Sequence, residues 1–395
     1  MKELVRSTVA RRRGTVAVIA LFVLAGMAAA AGASATNAPA PQLQARTWVR
    51  PLEGSATAGP AAAPHLKTWT SSVNDGGSSF TYTMVGKKVT KTLSTPSSTI
   101  TVPVIPLIIK IGTNTFDPTT IKTGCETKTA ETVFHQSPLF DKTTTFVMNG
   151  VNEGATQYVD AFQRAEFDMF TKPSGINPGY HVLLKYVLKP AITITVPAGL
   201  GVIEAGSGCS LLGGVEINYF DNLVTATLFP QIDASDGVTP AQFPIFLTRS
   251  VVWFDTTPGN CCILGYHGAF NNPDFGNTPQ TYSPTDLDLS GLFGAGIKDT
   301  SIAAHEIGEW MDDPWGNNPT KPWGHIGQVT GCQGNLEVGD PLTGTNVPLV
   351  NVNGYTYHLQ ELAFFSWFYH QNPSWGAGGK YSDNGTFTTA AAPCS

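Results

Sequence analysis

Charge is scarce in this chain. Of its 395 residues, 13% are Asp, Glu, Lys or Arg, and the 23 basic side chains are outnumbered by 29 acidic ones. A protein without a basic excess has little with which to displace the counterions of a phosphate backbone, so nucleic acid is excluded as a partner. A second long apolar run is missing after residues 16–31, which excludes a bundle of membrane spans. Although six cysteines are present, no Cys-x-x-Cys occurs, and a thiolate zinc knuckle or thioredoxin-type site is disfavoured. There is no G-x-S-x-G elbow, no P-loop and no G-x-G-x-x-G behind a strand, so serine-hydrolase, nucleotide and dinucleotide readings have no anchor. The aspartates are not set out as an EF-hand loop, and no repeat with a period of about 20–50 residues is found.

What is present points outside the cell. Lys2, Arg6 and Arg11 to Arg13 form a cationic start, Val16 to Ala31 is apolar, and Ala33-Ser34-Ala35 suits signal peptidase, so residues 1–35 read as a secretory signal. Its removal leaves 18 basic and 28 acidic residues, a formal charge of −10. Such a surface favours solubility and cation binding over anionic lipid, and no membrane partner is expected once the signal is gone. Residues 36–66, rich in Ala, Pro, Gly, Ser and Thr, read as a flexible lead-in, and 67–395 as one α+β domain. With 41 Gly and 28 Pro that domain is expected to be rich in turns. In an exported protein the even cysteine count favours disulfides among Cys125, Cys209, Cys261, Cys262, Cys332 and Cys394. Adjacent Cys261 and Cys262 are badly placed to bond each other and are expected to face different partners.

Strand signals dominate the first half: Phe80 to Val85, Ser98 to Ile111, Tyr180 to Leu188 and Ile192 to Val196, with Phe243 to Phe254 following later. Helical spacing predicts helices within Gly154 to Phe170 and Val215 to Leu228. A third helix is predicted from Ser301 to Asp312, capped by Asp299 and stopped before Pro314.

This third helix carries His305-Glu306-Ile307-Gly308-Glu309, an HExxE sequence. Residues four apart share a helix face, so His305 and Glu309 can grip one cation while Glu306 stands where it could deprotonate a water on it. Glu306, Glu309, Asp312 and Asp313 place four carboxylates in eight residues, two of them at a helix C-terminus where the macrodipole disfavours negative charge. No Lys or Arg follows until Lys321, and a bound divalent cation is the simplest compensation. Glu337 is the expected third ligand and Asp340 its supporting neighbour; His325, Asp313 and the Tyr357-His358 pair compete for the same place. His135, His181 and His267 read as hydrogen-bonded structural residues.

The runs HEIGEWMDDPW, GHIGQVTGCQGNLEVGDPL and YTYHLQELAFFSWF, preceded by SPLF and GATQYVDAFQRAEF, resemble a group of exported bacterial proteins of no settled function. More remotely, the HExxE helix, the Asp-Pro after it and the later Glu-x-x-Asp are similar to plant exordium (phosphate-induced) proteins, which are extracellular. The resemblance covers about residues 66 to 375 and implies a zincin-like metallopeptidase scaffold with a strand-rich N-terminal half. It brings no substrate with it. His305, Glu306, Glu309, Glu337 and Asp340 match its motif positions, and Glu309 departs from the HExxH of peptidases.

The expectation is a secreted peptidase acting on peptide or protein substrates. Zn²⁺ is held by His305, Glu309 and Glu337, Glu306 is the general base, and Tyr357 or His358 stabilises the oxyanion. The alternative is a non-catalytic extracellular binding module, with structural Ca²⁺ or Zn²⁺, that engages a cell-wall or glycan partner.

Overall fold

Ser98–Ile111 (STITVPVIPLIIKI) is the strand around which the other elements assemble. Its two prolines cannot donate to a neighbouring strand, and the pairing changes where they stand. Residues up to Val104 pair in parallel with Val182–Leu188, and from Leu107 onward they pair in parallel with Ile192–Thr195. On the other side Ile245–Arg249 pairs in parallel with residues 104–106, then with the end of Thr278–Leu287, whose start pairs antiparallel with Gly268–Asn272. Asn114–Phe116 completes a seven-stranded sheet. A four-stranded sheet is built from Gly201–Glu204, Leu212–Glu216, Val251–Phe254 and Cys261–Ile263.

The structure is a computed structural model and describes residues 43–54, 63–89, 97–124, 126–171, 179–206 and 210–394. The signal segment and cysteines 125 and 209 lie outside the described residues. Within them the chain is a mixed α+β protein with more strand than helix. No helix there is long and apolar enough to cross a membrane.

Alternation along the strands feeds two cores, as expected for a mainly parallel sheet covered on both faces. Val102, Val104, Ile245 and Leu247 join the cluster that contains the HExxE helix Ser301–Asp312, while Ile105, Leu107, Ile109 and Phe246 join the cluster under Phe220, Phe229 and Ile232. The continuous strand expected over Phe243 to Phe254 is divided. Ser250 adopts a positive φ of 52°, so Ile245–Arg249 enters the large sheet and Val251–Phe254 the small one. The helix expected from Val215 starts later, at Ile217, because Val215 and Glu216 finish a strand and the Glu216 carboxylate accepts the Tyr219 amide at 2.7 Å as its cap. The helix continues to Asp236 through a π turn at Val224–Leu228, just before Pro230, which has no N–H to give. The first predicted helix is confined to Tyr158–Glu166 and a short turn at Asp168–Thr171.

Two cysteine findings follow. Cys332 and Cys394 form a disulfide, and Cys261 is paired with Cys262 across a cis peptide bond that sets their Cα atoms 3.0 Å apart. This corrects the expectation that the adjacent pair are badly placed to bond each other and face different partners: each is the other's partner. Residues 43–54, which composition assigns to a flexible lead-in, run extended against the body, with Leu52 buried and its amide donating to the Trp315 carbonyl at 2.8 Å.

Two buried acids fix the segment from Leu359 to Phe364 beside the HExxE helix. Asp383 accepts from the Tyr158 hydroxyl at 2.6 Å and the Leu362 amide at 3.1 Å, and Glu361 accepts from Ser382 Oγ at 2.6 Å and the Thr386 amide at 3.0 Å. Burial pushes the Asp383 carboxyl up to about 7, the Tyr158 hydroxyl opposing this and the Glu361 charge adding to it. A raised acid holds a proton in the folded state that the unfolded chain releases above about pH 4, so its contribution to stability is lost as pH rises through about 7. Asp383→Asn should therefore lose less thermal stability between pH 5 and pH 8 than the wild type. Melting curves at the two pH values check this, and equal losses in both proteins would refute it.

Candidate metal centre

The helix forms over Ser301–Asp312, and all twelve of its residues are buried. It packs through Trp310, whose ring stacks on Phe243 at 3.8 Å and whose Nε1 donates to Thr281 Oγ1 at 3.1 Å. Asp299 does not cap it in the expected way: its carboxylate accepts from the Thr300 amide next to it and from the His358 amide at 3.0 Å.

One helical turn apart, His305 Nε2 and Glu309 Oε1 lie 3.0 Å from each other, with Asp340 Oδ1 3.5 Å from the same nitrogen. The orientation of the imidazole is set from behind. Gln360 Nε2 donates to the Gly339 carbonyl at 2.6 Å, so Gln360 Oε1 is the acceptor left for His305 Nδ1 at 3.1 Å. With Nδ1 as donor, Nε2 is the nitrogen presented to the carboxylates, an arrangement typical of metal-ligating histidines. Gly339 is required by closeness rather than by φ, since a Cβ there would sit 2.5 Å from His305 Cγ.

Glu309 is the hub. Its Oε1 accepts from the Gly339 and Asp340 amides, both at 3.2 Å, and its Oε2 faces His267 Nδ1 at 3.6 Å. Burial alone would raise its pKa, but the His305 charge and the approach of both imidazoles hold it well below the usual carboxylate range. Asp340 also accepts from the Gln328 side chain and, at 2.7 Å, from Gln333 Nε2.

His267 is the residue that sequence reasoning missed. Read as a structural histidine, it is instead fully buried among acids: Nδ1 lies 3.8 Å from Glu306 Oε2, and Nε2 lies 3.9 Å from Glu337 Oε2. Among the described residues neither ring nitrogen has a hydrogen-bond partner. Against the cost of burial, the Glu306 and Glu309 carboxylates raise its pKa to about 9. Its one sequence signal is the pair of flanking glycines in Gly265-Tyr266-His267-Gly268, of which Gly265 lies so close to the helix that a Cβ would be 2.9 Å from Glu306 Cγ.

The expected residues are therefore brought together in part. His305, Glu309 and Asp340 form one group of potential ligand atoms, and His267, Glu309 and Glu337 form another that shares Glu309. Glu337, held by Asn335 Nδ2 at 2.6 Å, approaches His267. Burial raises its carboxyl well above the usual range, and the charges of Glu309, Asp313 and Asp340 push the same way. Glu306 stands beside His305 with Oε2 unpartnered.

The remaining candidates are engaged elsewhere. His358 Nδ1 pairs with Asp299 Oδ2 at 2.7 Å, and Tyr357 packs on Tyr355 with its hydroxyl buried and without a hydrogen-bond partner among the described residues. His325 is exposed next to the Cys332–Cys394 disulfide, whose sulfurs are already bonded and leave no thiolate for a metal. Asp313 accepts the Asn317 and Asn318 amides at 3.0 and 2.7 Å, and Asp312 accepts from the Gln163 side chain. The helix C-terminal acids thus have protein donors, and among the described residues Asp312 Oδ2 alone of their oxygens is buried without a partner.

A cation suits the hub. Ligand atoms around one tetrahedral zinc stand about 3.4 Å apart; the histidine–carboxylate separations in the two groups run from 3.0 to 3.9 Å, and all potential ligand atoms of each group lie within 4.8 Å of one another. No Lys or Arg forms an ion pair with these carboxylates among the described residues. Compared with protein-family models, with curated proteins and with solved structures, the chain gives no match in any of the three.

If Gln360 fixes the His305 ring, Gln360→Leu should weaken divalent-metal affinity by roughly 10–100-fold, as changes behind a ligand do. Titration against a competing chelator measures it, and unchanged affinity would remove Gln360 from the centre.

Proposed function

We propose that this chain is an exported zinc peptidase of zincin-like architecture, with the cation held by His305, Glu309 and Asp340 and with Glu306 as general base. The observation that carries this reading is the oriented His305 Nε2 facing two carboxylates while the adjacent Glu306 keeps an unpartnered oxygen. The cationic start and apolar run of residues 1–35 support export.

A divalent cation there would supply a Lewis acid that polarises a peptide carbonyl and makes water more acidic. The protein groups do the rest. His305 and Glu306 line a cavity of about 20 Å³, room for about one water. The Glu306 carboxylate, which lines that cavity, can take a proton from a water there and return it to the leaving amine. His267 faces Glu306 and Glu309 at 3.8 and 3.6 Å, and its positive charge would favour the ionised form of both carboxylates. A helix ligand that is Glu309 rather than histidine adds a negative charge, which weakens the Lewis acid and favours slow turnover.

One observation favours a second reading. The donors are mostly oxygens, which suit Ca²⁺, and the site would then be structural in a binding module for a cell-wall or glycan partner. The imidazoles favour zinc.

Elemental analysis of purified protein should find about one zinc per chain, lost in His305→Ala. Asp340→Ala should weaken binding more than Glu337→Ala; the reverse order would place the ion at the His267 group. Stoichiometric Ca²⁺ that persists in His305→Ala would support the binding module instead.

Glu306→Gln separates holding from chemistry. It should keep the fold and the metal and lose on the order of 10²–10⁴-fold in hydrolysis of a peptide library. Hydrolysis at the wild-type rate would show that Glu306 is not the base.

A further inference from the structure

The cavity beside Glu306 is small because the chain covers it. Ala45 and Arg46 line it together with His305 and Glu306, and the same two residues also line a second cavity of about 860 Å³, with Leu43, Gln44, Thr47 and Phe293. The covering segment is bound as a strand is bound. Cys262 donates to the Gln44 carbonyl at 3.3 Å and accepts from the Arg46 amide at 2.9 Å; Arg50 donates to the His267 carbonyl at 3.2 Å and accepts from the Ala269 amide at 3.0 Å. Arg50 and Gly268 pair in parallel.

The opposite edge of this stretch is already used, with Tyr266 donating to the Pro284 carbonyl and Asp286 to the Leu264 carbonyl. Residues 262–269 therefore present one open edge, directly beside Glu306, and the segment 43–50 occupies it. Side chains fasten its far end: Trp48 meets Tyr266 edge-on at 4.4 Å, and Arg50 pairs with Asp221 and reaches Thr225 Oγ1 at 3.2 Å. By contrast, residues 43–47 border open space on one side.

We infer that the edge 262–269 is the docking edge for an extended peptide, and that residues 43–50 are a built-in occupant that closes the cleft until displaced. This rests on the peptidase reading for its consequence but not for its test. Strand addition recognises backbone amides and carbonyls, so the ligand class is an extended polypeptide with little dependence on its side chains. A segment tethered in the same chain competes at an effective concentration on the order of millimolar, so micromolar peptide added in solution is excluded.

The probe is a fluorescent octapeptide of sequence LQARTWVR, identical to residues 43–50, titrated by anisotropy into the full chain and two variants. Trp48→Ala/Arg50→Ala loosens the fastening, and Arg46→Pro deletes the amide that donates to Cys262 while leaving the fastening intact. Both variants should bind the probe at least tenfold more tightly than the wild type. Hydrogen exchange should show the Cys262 and Ala269 amides losing protection while the helix Ser301–Asp312 keeps it. Should the double variant expose that helix as well, Arg46→Pro alone decides. Equal probe binding by the wild type and Arg46→Pro overturns the inference. Probe binding without hydrolysis in any chain would keep the inference and remove the peptidase; equal hydrolysis in all three chains would keep the peptidase and remove the closure.

Discussion

A helix that is buried along its whole length yet carries four carboxylates sets the terms for the rest of this structure. Ionised carboxylates taken out of water cost several kcal/mol each unless charge or hydrogen bonds replace the lost hydration. Each of the four is answered differently. Asp313 takes the amides of the turn that follows it, and Asp312 takes an amide from the helix Tyr158–Glu166. Glu309 takes two loop amides and two imidazoles, while Glu306 keeps one oxygen with no hydrogen bond. The loop that carries Glu337 and Asp340, the stretch that carries His267 and the segment that carries Gln360 all converge on this one helix.

Close approach makes the convergence possible. Gly339 lets its loop lie against the His305 ring, and Gly265 lets the neighbouring stretch lie against Glu306. The acids Glu361 and Asp383 hold the segment that bears Gln360, so the orientation of one imidazole depends on hydrogen bonds made more than twenty residues later in the chain. Positioning of this kind is non-local, which is why a loss of folding and a loss of the centre are hard to separate by large truncations and easier by single side chains.

The helix and its limits were legible because spacing, the following proline and the HExxE pattern are local signals, and Ser301–Asp312 is where they placed it. Pairing His305 with Glu309 was legible for the same reason. His267 was not, because its role comes from a connection thirty-eight positions upstream of His305 that only the fold brings alongside. The donors that Asp312 and Asp313 find were not legible either, because Gln163 and the backbone of a turn are brought to them by the fold and composition reveals neither. Residues 43–54 look like linker by composition; the backbone bonds along them carry no side-chain signature, and the partners of Trp48 and Arg50, Tyr266 and Asp221, lie far off in sequence.

The turn at Ser250 has a consequence for how freely the chain can change length. Ile245 and Leu247 point into one core, Phe246, Val251 and Trp253 into a second, and Val252 into a third. Because side chains alternate with period two, a single inserted or deleted residue on either side of Ser250 would reverse the facing of every position beyond it. Three cores would lose their contents at once. This decapeptide is thus a fixed ruler, and tolerance for insertion belongs to tips such as Gly76-Gly77 and Asn353-Gly354, where turns close two-stranded hairpins and no core reads the count.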